Sequence, residues 1–240
     1  MIQARLRKLA AIAKHRPYVA GLARHRVAAA VEHVEAIQYC APRTLIDVGA
    51  NKGQFSLAVR GLFPTTVVHA FEPLDEAASQ YEALFAGQDD VHLHRTAIAS
   101  EPGTVTFHVT DRADSSSLLP PGAGQREAFG VAEQRSIEVP VTTLDAAVDL
   151  DSLPHPVLLK IDVQGAELEV LKGLSDLSAI DYVYVEASFV ELYEGQCLLA
   201  DLTEHLAERG FALRGTYNQV STATFGPTQV DCLFVPADRA

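Results

Sequence analysis

Short apolar runs and longer amphipathic stretches take turns along most of this chain. The apolar runs fall at 45–48, Val67–Phe71, Val91–His94, Val157–Ile161, 182–185 and 233–235, and each predicts a strand. Between them, apolar positions recur at helical spacing over Gln54–Leu62, 75–86, 166–173 and 198–209. Another helical pattern runs from Val27 to Ile37, and Pro42 stops it before the first strand. Strands that alternate with helices need crossover connections. The expected fold class is therefore α/β, a doubly wound and mainly parallel sheet. One stretch breaks the rhythm. Residues 103–109 and 136–141 alternate with period two, and between them lie Ser115-Ser116-Ser117 and the turn-forming Pro120-Pro121-Gly122-Ala123-Gly124. This predicts a β-rich insertion after the third strand, near the middle of the sheet, rather than a second domain. The boundary falls between a helical segment at 1–42 and one domain at 43–240.

Composition narrows the picture. With 240 residues and 48% hydrophobic content, the chain can bury roughly 70–75% of its unfolded surface in one domain. No apolar run approaches the roughly 20 residues that span a bilayer. The N-terminus has no continuous apolar segment with a small-residue cleavage site, so no signal peptide is expected. Cys40, Cys197 and Cys232 are odd in number and widely spaced, which reads as reduced packing residues in a cytoplasmic protein.

Charge is uneven. Seven basic residues from Arg5 to Arg26 precede the first acid, Glu32, so the first 30 residues carry +7 and the remainder −19. An acidic body argues against nucleic acid as the main partner. The basic segment, with Ile2, Leu6, Leu9 and Ile12-Ala13 at helical spacing, suits an anionic membrane surface or another protein, or a solvated helix lying on its own acidic domain. The last reading is preferred.

The chemistry begins at Leu45-Ile46-Asp47-Val48-Gly49-Ala50-Asn51-Lys52-Gly53-Gln54-Phe55, followed by Ala70-Phe71-Glu72-Pro73. A strand, a glycine-bent loop, a helix and a second strand ending in an acid place that carboxylate to accept a ribose diol. A dinucleotide loop needs a middle glycine to close on pyrophosphate, but Ala50 and Asn51 occupy that place. Asp47 is expected to point an acid toward the pocket, which repels phosphate and favours an ammonium group. S-adenosylmethionine carries an amine and a sulfonium and no phosphate, so it fits this loop. The alternative is a tight strand-to-helix turn in some other doubly wound domain.

A second constellation is Leu158-Leu159-Lys160-Ile161-Asp162-Val163-Gln164-Gly165-Ala166-Glu167, and the next strand ends in Glu186. Ligands of open parallel sheets sit beyond the carboxyl ends of the strands. Glu72, Asp162 and Glu186 are thus expected to face one crevice. Asp162 and Glu186 are candidates for general base or for oxygen ligands of a divalent cation, and Glu186 is equally a hydrogen-bond acceptor behind the site. Glu167 reads as a helix-start partner. His33 is a candidate base, weighed against a polar contact on a packed helix. His92 and His94 alternate on one strand without an evident third metal ligand and read as structural.

These motifs together resemble FkbM-type methyltransferases. Ser115-Ser116-Ser117, Thr143-Leu144-Asp145, Tyr193-Glu194-Gly195-Gln196, Glu208-Arg209-Gly210-Phe211 and Asp231-Cys232-Leu233-Phe234-Val235 extend the likeness from about residue 27 to the last strand. The resemblance implies a class I methyltransferase fold, Rossmann-like, with seven strands and the last one reversed. It implies S-adenosylmethionine as donor and a hydroxyl of a sugar, glycan or polyketide-type product as acceptor. On this reading Asp47, Gly49, Ala50, Asn51, Gly53 and Phe55 form the methionine-side loop, and Glu72 accepts the ribose with Pro73 beside the adenine. Thr96, Ala97 and Ile98 read the adenine edge. Ser116 or Ser117 closes the pocket, and Asp162 meets the transferring methyl group. A Mg²⁺ ion at Asp162 is an analogy of position only and is not favoured. Transfer to nitrogen or a carboxylate, or an inactive binding subunit of the same fold, are the alternatives.

Overall fold

The computed structural model describes residues 2–240, apart from the side chains of 2–5 and 7. The chain opens with helices α1 (Ile2–Ile12) and α2 (Arg16–Ala20), a π-helical turn at Gly21–His25, a 3-10 turn at Val31–His33, and α3 (Val34–Cys40). The helix expected from Val27 is thus absent before Val31. There the chain runs irregularly and buries Val27, Ala29 and Ala30 as packing residues.

Strand β1 (Thr44–Val48) then starts the main sheet, and α4 (Gln54–Leu62), β2 (Val67–Phe71), α5 (Asp75–Leu84) and β3 (Val91–His94) follow. A second sheet is built from β4 (Ala97–Ile98), β5 (Gly103–Thr110) and, beyond α6 (Ala123–Phe129), β6 (Glu133–Thr142). After α7 (Leu144–Ala147) the main sheet resumes with β7 (Val157–Ile161), α8 (Glu167–Lys172), β8 (Tyr182–Ser188), α9 (Leu199–Glu208), β9 (Phe211–Thr222) and β10 (Gly226–Pro236). Its order is β3-β2-β1-β7-β8-β10-β9. Strands β3, β2, β1, β7 and β8 pair in parallel, and β10 runs against both β8 and β9. This is the class I methyltransferase topology, with the last strand reversed.

The reason is legible in burial. Every residue of β1 and β7 is buried, as a central strand covered by helices on both faces requires. Side chains alternate between two cores. Ile46, Val48, Leu159, Ile161 and Val183 pack on one face with α8 and α9. Leu45, Leu158, Tyr184 and Leu233 pack on the other, with α4 and the N-terminal helices. Tyr18 is fully buried there, its hydroxyl donating to Ala58 O at 2.7 Å.

The insertion forms its own three-stranded sheet with a small core around Phe107 and Val139. Helix α1 is held by Ile12 and by an ion pair from Lys8 to Glu32 at 2.9 Å, while Leu6 and Leu9 stay 59% and 52% exposed. The side chains of Ile2, Arg5 and Arg7 lie outside the described residues. Among the described residues no helix is long and apolar enough to cross a membrane. All three cysteines are free, and Cys40 and Cys232 are buried.

Candidate active site

Alternation along the strands sets a polar row on the face toward α4. Asp47 on β1 and Lys160 on β7 are register partners, and Lys160 is in turn paired with Tyr184 on β8. Two residues further along β8, Glu186 stands directly opposite Asp231 on β10. A cavity of about 490 Å³ opens over the carboxyl ends of β1, β2, β7 and β8.

One half of this cavity is made by the first crossover. Gly49 has φ +76°, and a Cβ there would come within 1.9 Å of Asp162 O, so only glycine lets β1 and β7 part at this point. Gly53 has φ +87°, and the rings of Tyr81 and Phe85 press on its vacant side-chain position. Glu72 ends β2 with 6% exposure. Its Oε2 accepts from Asn51 N–H and its Oε1 from Leu74 N–H, both at 2.9 Å. Burial pushes the Glu72 carboxyl up to about 6, against the opposing pull of those two N–H groups and of Lys160. Asn51 lines the cavity, and its Oδ1 is buried without a protein partner.

Asp47 lies behind this wall and not in it. It is fully buried, accepts from Ser56 Oγ at 2.7 Å, and sits 3.0 Å from Lys160 Nζ. The Lys160 ammonium also donates to Gly49 O at 2.8 Å. Burial acts to lower its pKa, but Asp47 and Asp162 outweigh that and hold it above its ordinary value. The acid expected to meet a ligand's amine therefore anchors a lysine that grips the glycine loop from below.

The other half of the cavity is assembled from distant elements. Gln164, at φ +59°, donates to Asp162 Oδ1 and to Glu186 Oε2 at 2.8 Å each. Its own Oε1 accepts from Tyr193 Oη at 2.9 Å. Gln229 Nε2 also donates to Glu186 Oε2, at 2.9 Å. Burial, then the charges of Asp162 and Asp231, raise the Glu186 carboxyl well above its ordinary range. Its remaining exposure is to the cavity. Above it, His33 Nδ1 lies 3.0 Å from Tyr184 Oη, 3.1 Å from Asn218 Nδ2 and 3.2 Å from Asp231 Oδ2. Glu167 faces inward and accepts from Gly165 N–H and Val163 N–H, as a helix-start partner does.

The family model described as "Methyltransferase FkbM domain" matches residues 47–213. The chain belongs to this family. It is an S-adenosylmethionine-dependent methyltransferase. It is similar to the "2-O-methyltransferase NoeI" of Sinorhizobium fredii, 29% identical over 68% of this chain and 70% of that one. It is also similar to the "Hexuronic acid methyltransferase AglP" of Haloferax volcanii, 30% identical over 59% of this chain and 54% of that one. Among solved structures it resembles Streptococcus pneumoniae Sp1610, "a putative tRNA (m1A22) methyltransferase, in complex with S-adenosyl-L-methionine". There the TM-score is 0.47 and the identity 12%, over 85% of this chain and 72% of that one.

In this FkbM methyltransferase the structure brings Glu72, Asp162 and Glu186 to one cavity. Gly49, Ala50, Asn51 and Phe55 form part of its wall, with Pro73 beside Glu72, while Ala97 and Ile98 close it from the second sheet and Ser116 from the connection after β5. His33 lines the far end. Four expected positions stand off the wall. Asp47 is the first, and Gly53 turns the chain away into α4. Thr96 spends its hydroxyl on Pro140 O, and Ser117 is tied into a bridge with His108. Among the described residues no group of three His, Cys, Asp or Glu side chains is arranged to hold a metal ion. His92 and His94 stack with His69 at the sheet edge instead.

Sequence reasoning missed Asp231, Asn218 and Gln229. Asp231 carried a signal: it is an acid inside the otherwise apolar run Val230-Asp231-Cys232-Leu233, and a charge there needs a reason.

Proposed function

We propose that this methyltransferase delivers its methyl group to a hydroxyl oxygen of a sugar or glycan. The polar far end of the cavity carries this reading. It presents His33, Gln164, Tyr184, Glu186, Gln229 and Asp231, a dense set of donors and acceptors for a polyhydroxylated acceptor, where a polyketide would want an apolar wall. The names of the two relatives, one a 2-O-methyltransferase and one acting on hexuronic acid, agree with it. Transfer to nitrogen is disfavoured because Asp162 and Asp231 would keep an amine protonated and without a lone pair.

The near half fits the donor. Glu72 keeps free lone pairs for a ribose diol. Gly49 leaves room where a side chain would collide with β7. S-adenosylmethionine supplies an electrophilic methyl group on a sulfonium centre. The protein's work is then to hold a hydroxyl oxygen in line with it and to exclude water. Asp162 ends β7 with one oxygen bonded to Gln164 and the other 3.9 Å from Lys160 Nζ. We assign it to face the positive charge of the donor.

Incubation with methyl-labelled S-adenosylmethionine and methyl glycosides of neutral hexoses, hexuronic acids and hexosamines tests the proposal. It predicts a methyl ether on a ring hydroxyl. A product methylated only on nitrogen or as an ester overturns it.

A further inference from the structure

Glu186 is held by one oxygen and open at the other. Its Oε2 accepts from Gln164 Nε2 at 2.8 Å and from Gln229 Nε2 at 2.9 Å. Among the described residues Oε1 has no hydrogen-bond partner, and it is not one of the side-chain atoms buried without one. The side chain lines the cavity, so the open oxygen faces that space. The grip on Oε2 is itself anchored. Gln164 spends both amide protons on carboxylates, the second going to Asp162 Oδ1, and its own Oε1 lies 2.9 Å from the Tyr193 hydroxyl.

Position along the sheet separates Glu186 from the other acids of this wall. In the order β2-β1-β7-β8-β10 the donor residues sit at the ends of β1 and β2, and Asp162 ends β7. Glu186, on β8, is the next carboxylate toward the acceptor side. Asp231 stands opposite it on β10, one strand farther from the donor. That side chain is buried, and its Oδ2 is taken by Tyr184 Oη at 3.2 Å and Asn218 Nδ2 at 2.8 Å. The charged and titratable groups around Glu186 are Asp162, Glu167 and Asp231, the Lys160 ammonium and the Tyr193 phenol. Burial and the three acids hold its carboxyl above the ordinary range, which makes the carboxylate a stronger base than an ordinary glutamate.

We propose that Glu186 is the catalytic base and takes the proton of the acceptor hydroxyl on Oε1. The hydroxyl oxygen forms its new bond to the methyl carbon as the carbon–sulfur bond breaks, and that bond's electron pair stays on sulfur as a neutral thioether. The hydroxyl proton passes to Oε1. A sulfonium and a carboxylate enter the step, and a thioether and a carboxylic acid leave it, so the two charges cancel inside the cleft. This assignment rests on the hydroxyl-acceptor reading above.

Two measurements on the full chain test it. Glu186→Gln keeps the size of the side chain, and its carbonyl oxygen can still accept from both amides, but it has no basic oxygen. In methyl transfer to the glycosides named above it should lower kcat by about 100-fold or more, with S-adenosylhomocysteine affinity within about threefold of wild type as the check on folding. The second measurement needs no acceptor. In wild type labelled with ¹³C at the glutamate carboxyls and saturated with S-adenosylhomocysteine, the Glu186 signal, assigned by its absence from Glu186→Gln or Glu186→Asp, should show an ionised carboxylate by pH 9. A kcat within about threefold in folded Glu186→Gln, or a Glu186 carboxyl still protonated at pH 9, would each overturn the proposal. Wild-type protein that methylates none of the glycosides would break the sugar reading instead, and the titration would still decide whether Glu186 can take a proton.

Discussion

The two halves of the cleft are built in opposite ways. The donor half comes almost entirely from one contiguous stretch, β1 to just past β2, in which Gly49 N–H donates to Phe71 O and the N–H groups of Asn51 and Leu74 donate to the Glu72 carboxylate. The acceptor half draws on residues from the N-terminal 3-10 turn, β7, β8, β9 and β10, and His33 meets Asn218 across 185 positions of sequence. A local motif can hold a fixed cofactor because the cofactor never changes. The acceptor side is a composite surface, and each contributing element can vary without disturbing the donor loop. Between the halves stands the buried Asp47–Lys160 pair, Asp47 behind the wall and Lys160 lining the cavity, which fixes the loop they share.

Substitutions at that junction should have the largest effects. Gly49→Ala sets a Cβ 1.9 Å from Asp162 O at a left-handed φ. It should cost at least about 4 kcal/mol, read as a loss of cooperative unfolding or a large fall in denaturation midpoint. A Gly49→Ala protein of near wild-type stability would show that the junction is slack. Next in size is Lys160→Met, which leaves the Asp47 carboxylate buried and uncompensated. About 3–5 kcal/mol of stability should be lost, and Asp47→Asn in the same chain should restore part of it. If the single variant is as stable as wild type, the pair is not what holds the loop.

A smaller effect separates the halves. The Tyr193 hydroxyl accepts from Gln125 Nε2 and lies within donating distance of Gln164 Oε1 and Ser115 O. Tyr193→Phe should cost about 1–3 kcal/mol and slow turnover, while donor affinity stays within about twofold. An equal loss of donor affinity would mean that the two halves are not independent.

The smallest effect is a pH dependence. Burial raises the Glu72 carboxyl from 4.5 to about 6, so it is ionised well above pH 6 and takes up a proton as pH falls through that value. A carboxylate accepts from a diol better than a carboxylic acid does. S-adenosylhomocysteine affinity should therefore weaken severalfold between pH 7.5 and pH 5.5, and the trend should vanish in Glu72→Gln. A flat profile in wild type would contradict this.

The same contrast explains what the sequence could disclose. Strands β1, β2, β3 and β7 and helices α4 and α5 follow from periodicity, because each element's pattern is local. The β2 acid followed from its offset to the glycine loop. Asp47 was misplaced because alternation alone does not say which face is the pocket. Only the register partner Lys160 shows that its face is closed. Strand β9 has a mostly exposed, polar pattern, Arg214-Gly215-Thr216-Tyr217-Asn218, and is organised by its long pairing with β10 rather than by its own side chains. The start of the N-terminal segment read as helix because Val27-Ala28-Ala29-Ala30 is apolar, yet tertiary burial claimed those residues first. The His33–Asn218–Asp231 contact is a meeting of three elements, and no local spacing encodes it.

The central claim is that Glu72, held by Asn51 and Leu74, grips the methyl donor. Calorimetric titration of S-adenosylhomocysteine into wild type and Glu72→Ala at pH 8 tests it most directly. The account predicts clear binding to wild type and an affinity about 100-fold weaker or less for Glu72→Ala, a loss of about 2.7 kcal/mol. Equal affinity in the two proteins, with both folded, would contradict it.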